Sequence, residues 1–477
     1  MKYLLFAILV MASLNLDAKI KLPALVSSHM VLQRDTVVSI WGWADKNETI
    51  LLEASWLNHP LKVKSDKNGK WSIPVSTNQS LEAQTIVIKD FESEVVLNDI
   101  LFGEVWLCSG QSNMNFSLLG NPGQPVVGNI DAIVHSKNDQ LRLFTVNKNP
   151  STEPLEQLSA DNGSWQLANP STVPNFSAVG YFFASQLQQI LEVPVGIIHT
   201  SWGASSVQAW VSADALAPLE NINTENITEE PNKTQTALFN GMINPLVPYT
   251  IKGALWYQGE SNRSEPDKYT QLLPAMVKDW RDRWDANFAF YYVQIAPFSK
   301  SNDYTKPKNA AFLREAQTKC IDLIPNSFMA TTMDIGDKYS IHPPQKKEVA
   351  DRLLYIALNK SYKYTSVDFS GPIYDSMEVT DEGIVLSFKY AENGLYGTQN
   401  VRTLSGFDIA GEDQVFYSAE AKIIDRRKVL VYSNKVPNPK AVRYGWQCYT
   451  EASLFDTSYL PAPSFRTDKW DDAIKKE

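Results

Sequence analysis

The alternation of apolar and polar positions divides the chain into three stretches. Between residues 20 and 98, apolar residues come in short runs broken by turn chemistry. Thr36-Val37-Val38-Ser39-Ile40-Trp41-Gly42-Trp43 mixes β-branched and aromatic residues with turn punctuation. Lys62-Val63-Lys64 and Lys70-Trp71-Ser72-Ile73-Pro74 flank Asp66-Lys67-Asn68-Gly69, a hairpin signature, and Thr85-Ile86-Val87-Ile88 follows. These runs predict a small antiparallel β-domain over 20–98. From about residue 100 continuous apolar runs appear at 105–108, 141–146, 195–200, 253–258, 290–295 and 328–333, with longer helical stretches at 178–191, 267–284 and 310–323 among them. Such alternation predicts βαβ units around a parallel sheet, whose strands are buried on both faces. After a further helix at 346–358 short strands return: Glu382-Gly383-Ile384-Val385-Leu386-Ser387-Phe388, Val415-Phe416-Tyr417 and Lys428-Val429-Leu430-Val431-Tyr432. The expected fold class is α/β. A central parallel-sheet domain over 99–362 stands between an N-terminal β-domain and a C-terminal sandwich-like β-domain with its tail, 363–477.

Composition and the chain start narrow the function classes. At 477 residues the chain exceeds one ordinary core, in keeping with several domains. Met1-Lys2-Tyr3-Leu4-Leu5-Phe6-Ala7-Ile8-Leu9-Val10-Met11-Ala12 carries one positive charge and then a short apolar core, the pattern of a secretory signal peptide over 1–18, with Ala18 at its end. The apolar run falls short of the roughly 20 residues that span a bilayer, and no later run reaches that length. The expectation is an exported protein, periplasmic or extracellular, without a membrane span. A net charge of −9 and the lack of any basic run argue against nucleic acid as a partner. Three cysteines, Cys108, Cys320 and Cys448, permit at most one disulfide. No CxxC, HExxH or His-rich pair suggests a metal site. The 13 Trp and 20 Tyr suit a protein that handles sugars, although β-sandwich cores account for most of them. The sequence carries no signal for an oligomeric state.

Candidate chemistry gathers where apolar runs end. Val105-Trp106-Leu107-Cys108 leads into Gly110-Gln111-Ser112-Asn113-Met114, which sets a serine at the carboxyl edge of the sheet, where ligands of open α/β sheets bind. A lone serine is a weak nucleophile, so it requires a base and an oxyanion site. Thr200-Ser201-Trp202-Gly203-Ala204-Ser205 ends a second strand, and the backbone N–H of Gly203 is a candidate oxyanion donor beside that of Ser112. Trp256-Tyr257-Gln258-Gly259-Glu260-Ser261-Asn262 ends a third; Gln258 offers a side-chain donor, and Glu260 a group to orient a neighbour or a substrate hydroxyl. Of five histidines, His342 in Ile341-His342-Pro343-Pro344 occupies a strand-to-helix loop of the α/β region, which makes it the candidate base. His29, His59 and His135 fall outside the strand-end clusters, and His199 sits within an apolar strand as a core residue.

In chain order Ser112, Gly203, Gln258 and His342 resemble the four-block layout of SGNH hydrolases. The wording Ser28-His29-Met30-Val31-Leu32-Gln33-Arg34-Asp35, Trp41-Gly42-Trp43-Ala44, Gly103-Glu104-Val105-Trp106, Asp334-Ile335-Gly336-Asp337 and Ser464-Phe465-Arg466-Thr467-Asp468 is similar to the sialate O-acetylesterase family of carbohydrate esterases. That resemblance implies an SGNH or flavodoxin-like central sheet and a serine esterase that removes acetyl groups from sugars, O-acetylated sialic acids first. It implies Ser112 as nucleophile, His342 as base, an oxyanion hole from Ser112, Gly203 and Gln258, and no metal or organic cofactor. Two departures stand out. The position three residues before His342, where many SGNH enzymes have Asp, holds Tyr339; the orienting group is then Asp337 or Asp334 through a loop, Glu260 or a backbone carbonyl, with Asp337 preferred. Ala204-Ser205 follows Gly203 where relatives often have a second Gly and a Thr. Arg314 is a candidate partner for a sialate carboxylate, beside its reading as an ordinary helix arginine. Acetylated xylan is the second substrate reading. A glycan-binding protein with an inactive centre is the alternative from another class; the intact Ser112, Gly203, Gln258 and His342 count against it.

Overall fold

The computed structural model describes residues 20–159, 161–299, 310–398 and 403–471, and the backbone of 474–475. The expected signal peptide lies outside the described residues. The α/β region is built on seven strands: β1 (Glu94–Gly110), β2 (Asn138–Thr145), β3 (Gln166–Ala168), β4 (Val195–Ser201), β5 (Gly253–Tyr257), β6 (Ala289–Val293) and β7 (Ser327–Ala330). They lie in the order β7-β6-β5-β1-β4-β2-β3, all parallel to their neighbours except the edge strand β3. Strand order therefore reverses at β1, which lies between β4 and β5. The crevice beyond such a reversal is where open α/β sheets bind ligands.

Helices cover both faces. The short α1 (Ser112–Asn115) leaves β1 directly; α2 (Ala178–Leu191), α3 (Pro266–Trp284), α4 (Ala310–Leu323) and α5 (Lys346–Lys360) are the long ones. The apolar spacing placed these four to within two residues. The second half of β1 is buried throughout, and its side chains alternate between two cores. Val105 and Leu107 join a cluster with Trp210, Trp256 and Trp280, whereas Trp106 and Cys108 join one with Phe183, Leu255 and Leu353. Burial on both faces is why the sequence there shows a solid apolar run and no alternation.

The N-terminal region is antiparallel, as Thr49–Ala54 pairs with both Leu61–Lys64 and Gln84–Lys89. Gln84–Lys89 in turn pairs with the first half of β1. The expected limit at 98/99 thus falls inside a continuous strand, and Ile50, Leu52 and Ile88 belong to the same apolar cluster as Leu107 and Trp256. The C-terminal region holds two five-stranded sheets. Ile384, Leu386, Val429 and Val431 of one pack with Phe407, Ile409, Val442 and Phe465 of the other, the arrangement of a sandwich. All three cysteines are free thiols. Among the described residues no helix is long and apolar enough to cross a membrane.

Candidate active site

Three loops at the carboxyl ends of the adjacent strands β4, β1 and β5 meet the loop before α5. The turn after β1 begins with Gly110 at φ +136, and a Cβ there would fall 2.2 Å from the carbonyl oxygen of Tyr257. Only glycine fits, because its backbone lies against β5. Gln111 N–H donates to that same carbonyl at 2.9 Å. The Gln111 side-chain oxygen accepts from the backbone N–H groups of Gly259 and Ser261, at 3.2 and 3.3 Å. Two residues of the motif therefore serve to clamp β1 to the loop after β5, and Ser112 is delivered on a rigid corner.

His342 Nε2 lies 2.9 Å from Ser112 Oγ. Its other ring nitrogen, Nδ1, lies 3.2 Å from Gln124 Oε1, and its ring packs on Phe116 with centroids 5.4 Å apart. The imidazole pKa is pushed down to about 4, chiefly by burial and further by the nearby Lys346 ammonium. Gly203 sits directly beside the serine: a Cβ on it would be 3.6 Å from Ser112 Cβ. Trp202 N–H bonds Gly110 O at 3.1 Å, and Asn232 Nδ2 bonds Gly203 O at 2.8 Å, which fixes this loop. Among the described residues, the backbone N–H groups of Ser112 and Gly203 have no protein acceptor.

Beneath Ser112, Asn113 is wholly buried and joins three elements. Its Nδ2 donates to Glu260 Oε1 at 2.6 Å and to Ile341 O at 3.1 Å, and its Oδ1 accepts from Lys346 Nζ at 2.5 Å. Ile341 precedes the histidine, so Asn113 ties the serine corner to the histidine loop. Lys346 lies over the rings of Phe116 and Tyr257, at 4.8 and 5.9 Å. Burial lowers its pKa to about 7 against the opposing pull of Glu260, while burial raises that of Glu260.

Several expected site residues lie elsewhere. Gln258 is fully buried and spends both amide hydrogens, on Ser205 O at 3.0 Å and Asn262 Oδ1 at 2.7 Å. It locks the loops after β4 and β5 together and has no donor left for an oxyanion. Asp337 Oδ1 accepts from the N–H groups of Tyr339 and Ser340, at 2.7 and 3.0 Å, and so shapes the turn before His342 without touching its ring. Asp334 is held by Arg352 through two contacts of 2.7 and 2.6 Å. Arg314 is wholly buried, where it donates to Ser464 Oγ and to the carbonyls of Gly445 and Gln447. It joins α4 to the C-terminal sheets and cannot reach a substrate. Glu260 supports Asn113.

The sequence reasoning passed over Gln111, Asn113, Gln124 and Lys346. A signal existed for Lys346: it opens a helix beside Lys347, where the helix dipole disfavours cations. A lysine retained there needs a partner, and Asn113 with Glu260 supplies one.

Residues 103–353, more than half of the chain and all of the loops just described, match the family model of carbohydrate esterases described as sialic acid-specific acetylesterase. The chain belongs to this family. Its members are carboxylic ester hydrolases, and so is this protein. The sialate O-acetylesterase of Mus musculus is 27% identical over 92% of this chain and 93% of its own length. That of Homo sapiens is 28% identical over 92% and 91%. The crystal structure of a carbohydrate acetylesterase from Xanthomonas citri is 34% identical, covers 94% of this chain and 100% of its own, and superposes with a TM-score of 0.87. The likeness thus spans the α/β region of this sialic acid-specific acetylesterase family member and both β-rich regions.

Proposed function

We propose that this is an exported serine esterase that removes O-acetyl groups from sugars, with O-acetylated sialic acids as its principal substrates. The observation that carries the mechanism is the 2.9 Å approach of His342 Nε2 to Ser112 Oγ at the reversal point of the sheet, with Gly203 alongside. Ser112 Oγ attacks the acetyl carbonyl carbon, and His342 takes its proton. The N–H groups of Ser112 and Gly203 receive the developing oxyanion; such donors contribute about 10²–10³ in rate each. The tetrahedral intermediate collapses as the bond to the sugar oxygen breaks, and His342 returns the proton to that oxygen. Water, deprotonated by His342, then attacks the acetyl-enzyme, releasing acetate and restoring Ser112.

With Arg314 buried, the exposed cation that supports a sialate carboxylate is Lys148. That side chain is exposed and its ammonium lies 5.3 Å from the centre of the Trp202 ring, one residue from Gly203. An aromatic face with a cation above it suits an acidic sugar. Export rests on the signal-like start; the proposed division of the chain is 20–98, 99–362 and 363–477, with its first limit crossed by the continuous strand β1. The test is acetate release by wild type and Ser112→Ala from O-acetylated sialic acid, acetylated xylan and a chromogenic acetate. Serine-dependent release from the sialic acid supports the whole reading. Release mainly from xylan replaces the substrate, and release that survives Ser112→Ala overturns the mechanism.

A further inference from the structure

Among the described residues no carboxylate lies within hydrogen-bond distance of the His342 ring, whose two nitrogens meet Ser112 and Gln124. Asp337, in the same loop, accepts from Tyr339 and Ser340 N–H; Asp334 pairs with Arg352 of α5; Glu260, after β5, accepts from Asn113. The charged group that acts on the ring from α5 is Lys346, and it is a cation. What faces Nδ1 is the amide of Gln124, from a loop distant in sequence.

That loop is built to hold its place. Asn121 and Gln124 exchange backbone hydrogen bonds of 2.9 and 2.8 Å. Pro122 and Pro125 bracket the turn, and each restricts the local backbone. Val127 N–H donates to Pro344 O at 3.0 Å, clipping the loop to the segment that carries His342. When Nε2 accepts the Ser112 hydroxyl proton, the ring's own proton resides on Nδ1 and donates to the Gln124 carbonyl oxygen.

We infer that Gln124 is the positioning residue of the base, so that the hydrolytic relay is Ser112–His342–Gln124 with a neutral amide in the place usually taken by a carboxylate. The amide fixes the tautomer and the ring plane as a carboxylate does, but adds no negative charge to favour the imidazolium. Combined with burial and Lys346, this leaves the histidine unprotonated, and competent as a base, far into the acid range. The inference rests on the serine-esterase reading above.

The test uses the full-length protein and a chromogenic acetate, with kcat and KM measured from pH 3.5 to 9 for wild type, Gln124→Leu and Gln124→Glu, and Ser112→Ala as control. Gln124→Leu lowers kcat by at least about 10-fold, within the ~10²–10⁴ that a general base supplies, and leaves KM unchanged. Gln124→Glu restores kcat at neutral pH and moves the acid limb upward by about 1–3 pH units, the usual effect of a carboxylate within ion-pair reach. A role confined to holding the turn leaves kcat of the folded Leu variant at the wild-type level. Wild-type kcat in the Leu variant, or an unmoved acid limb in the Glu variant, overturns the inference. Should the Leu variant not fold, the Glu profile decides alone. An inert wild type instead sinks the esterase reading itself, which separates the two failures.

Discussion

Among its described residues the α/β region contains two histidine–serine pairs, and they differ in ways that favour one as the proposed reactive pair and the other as a structural one. His342 meets Ser112 at 2.9 Å, and His199 Nε2 meets Ser201 Oγ at 2.5 Å. Burial pushes both imidazoles down to about 4, aided by Lys346 in one case and Lys148 in the other. Distance and proton affinity therefore do not distinguish them. Placement does. His199 lies within β4 between β1 and β2, only 6% exposed, and its buried Nδ1 has no partner among the described residues. His342 lies on a loop at the strand ends, half-buried, with Nδ1 held by Gln124. A histidine that must gain and lose a proton needs a route for the substrate and a partner for the second nitrogen. His199 has neither.

The sharpest way to break this comparison is to remove each serine. Ser112→Ala should abolish acetate release, a fall on the order of 10⁴- to 10⁶-fold in kcat, while Ser201→Ala retains the same order of activity as wild type. Comparable losses from both would mean that the 195–201 strand takes part in the chemistry. Lys346→Met should act on two readouts. It strips Asn113 Oδ1 of its donor, a destabilisation of about 1–3 kcal/mol visible in denaturant melts. It also removes the cation that repels the imidazolium, so the His342 pKa and with it the acid limb of kcat/KM should move to higher pH.

A pH series of stability measurements checks next that the two histidines share the same depressed proton affinity. A base whose folded pKa lies below its unfolded value is stabilising in its neutral form. That contribution is complete above about pH 6.5 and is lost as pH falls toward 4. His199→Leu and a substitution at His342 should each flatten this acid-side slope, to a similar extent, because both pKa values are lowered to about 4. The smallest expected effect is at the rim: Lys148→Ala should raise KM a few-fold for O-acetylated sialic acid, as befits an exposed charge pair, and leave KM for a neutral acetylated sugar unchanged.

How legible all this was in the sequence depended on which physical signal each part left. The helices at Ala178–Leu191 and Ala310–Leu323 were readable to the residue because one face of each is apolar at helical spacing. β1 was readable only in its second half. Its first half alternates exposed and buried positions for the N-terminal sheet while the rest is buried on both faces, so one strand carries two patterns. Ser112 and Gly203 are legible because each follows an apolar run, and His342 because it is the one histidine in a strand-to-helix loop of the α/β region. Gln124 could not: an amide in an aperiodic loop leaves no mark, and what makes it important is a histidine 218 positions away. Nearness along the chain points to Asp337, and donor chemistry to Gln258. Both turned out to be spent on backbone and neighbouring amides, commitments that only the folded arrangement exposes.

The continuity of β1 also shapes how this chain must be made. The first half of the strand finds its partner in Gln84–Lys89, which leaves the ribosome before it. The apolar half, Val105–Cys108, waits for β4 and β5, both synthesised much later. During that interval a growing chain displays an anchored, unpaired and sticky sheet edge, the kind that captures neighbouring chains. Holding that edge apart until residue 257 has emerged is a task for the cell's folding helpers, and protein yield should depend on them more than on the stability of the finished enzyme.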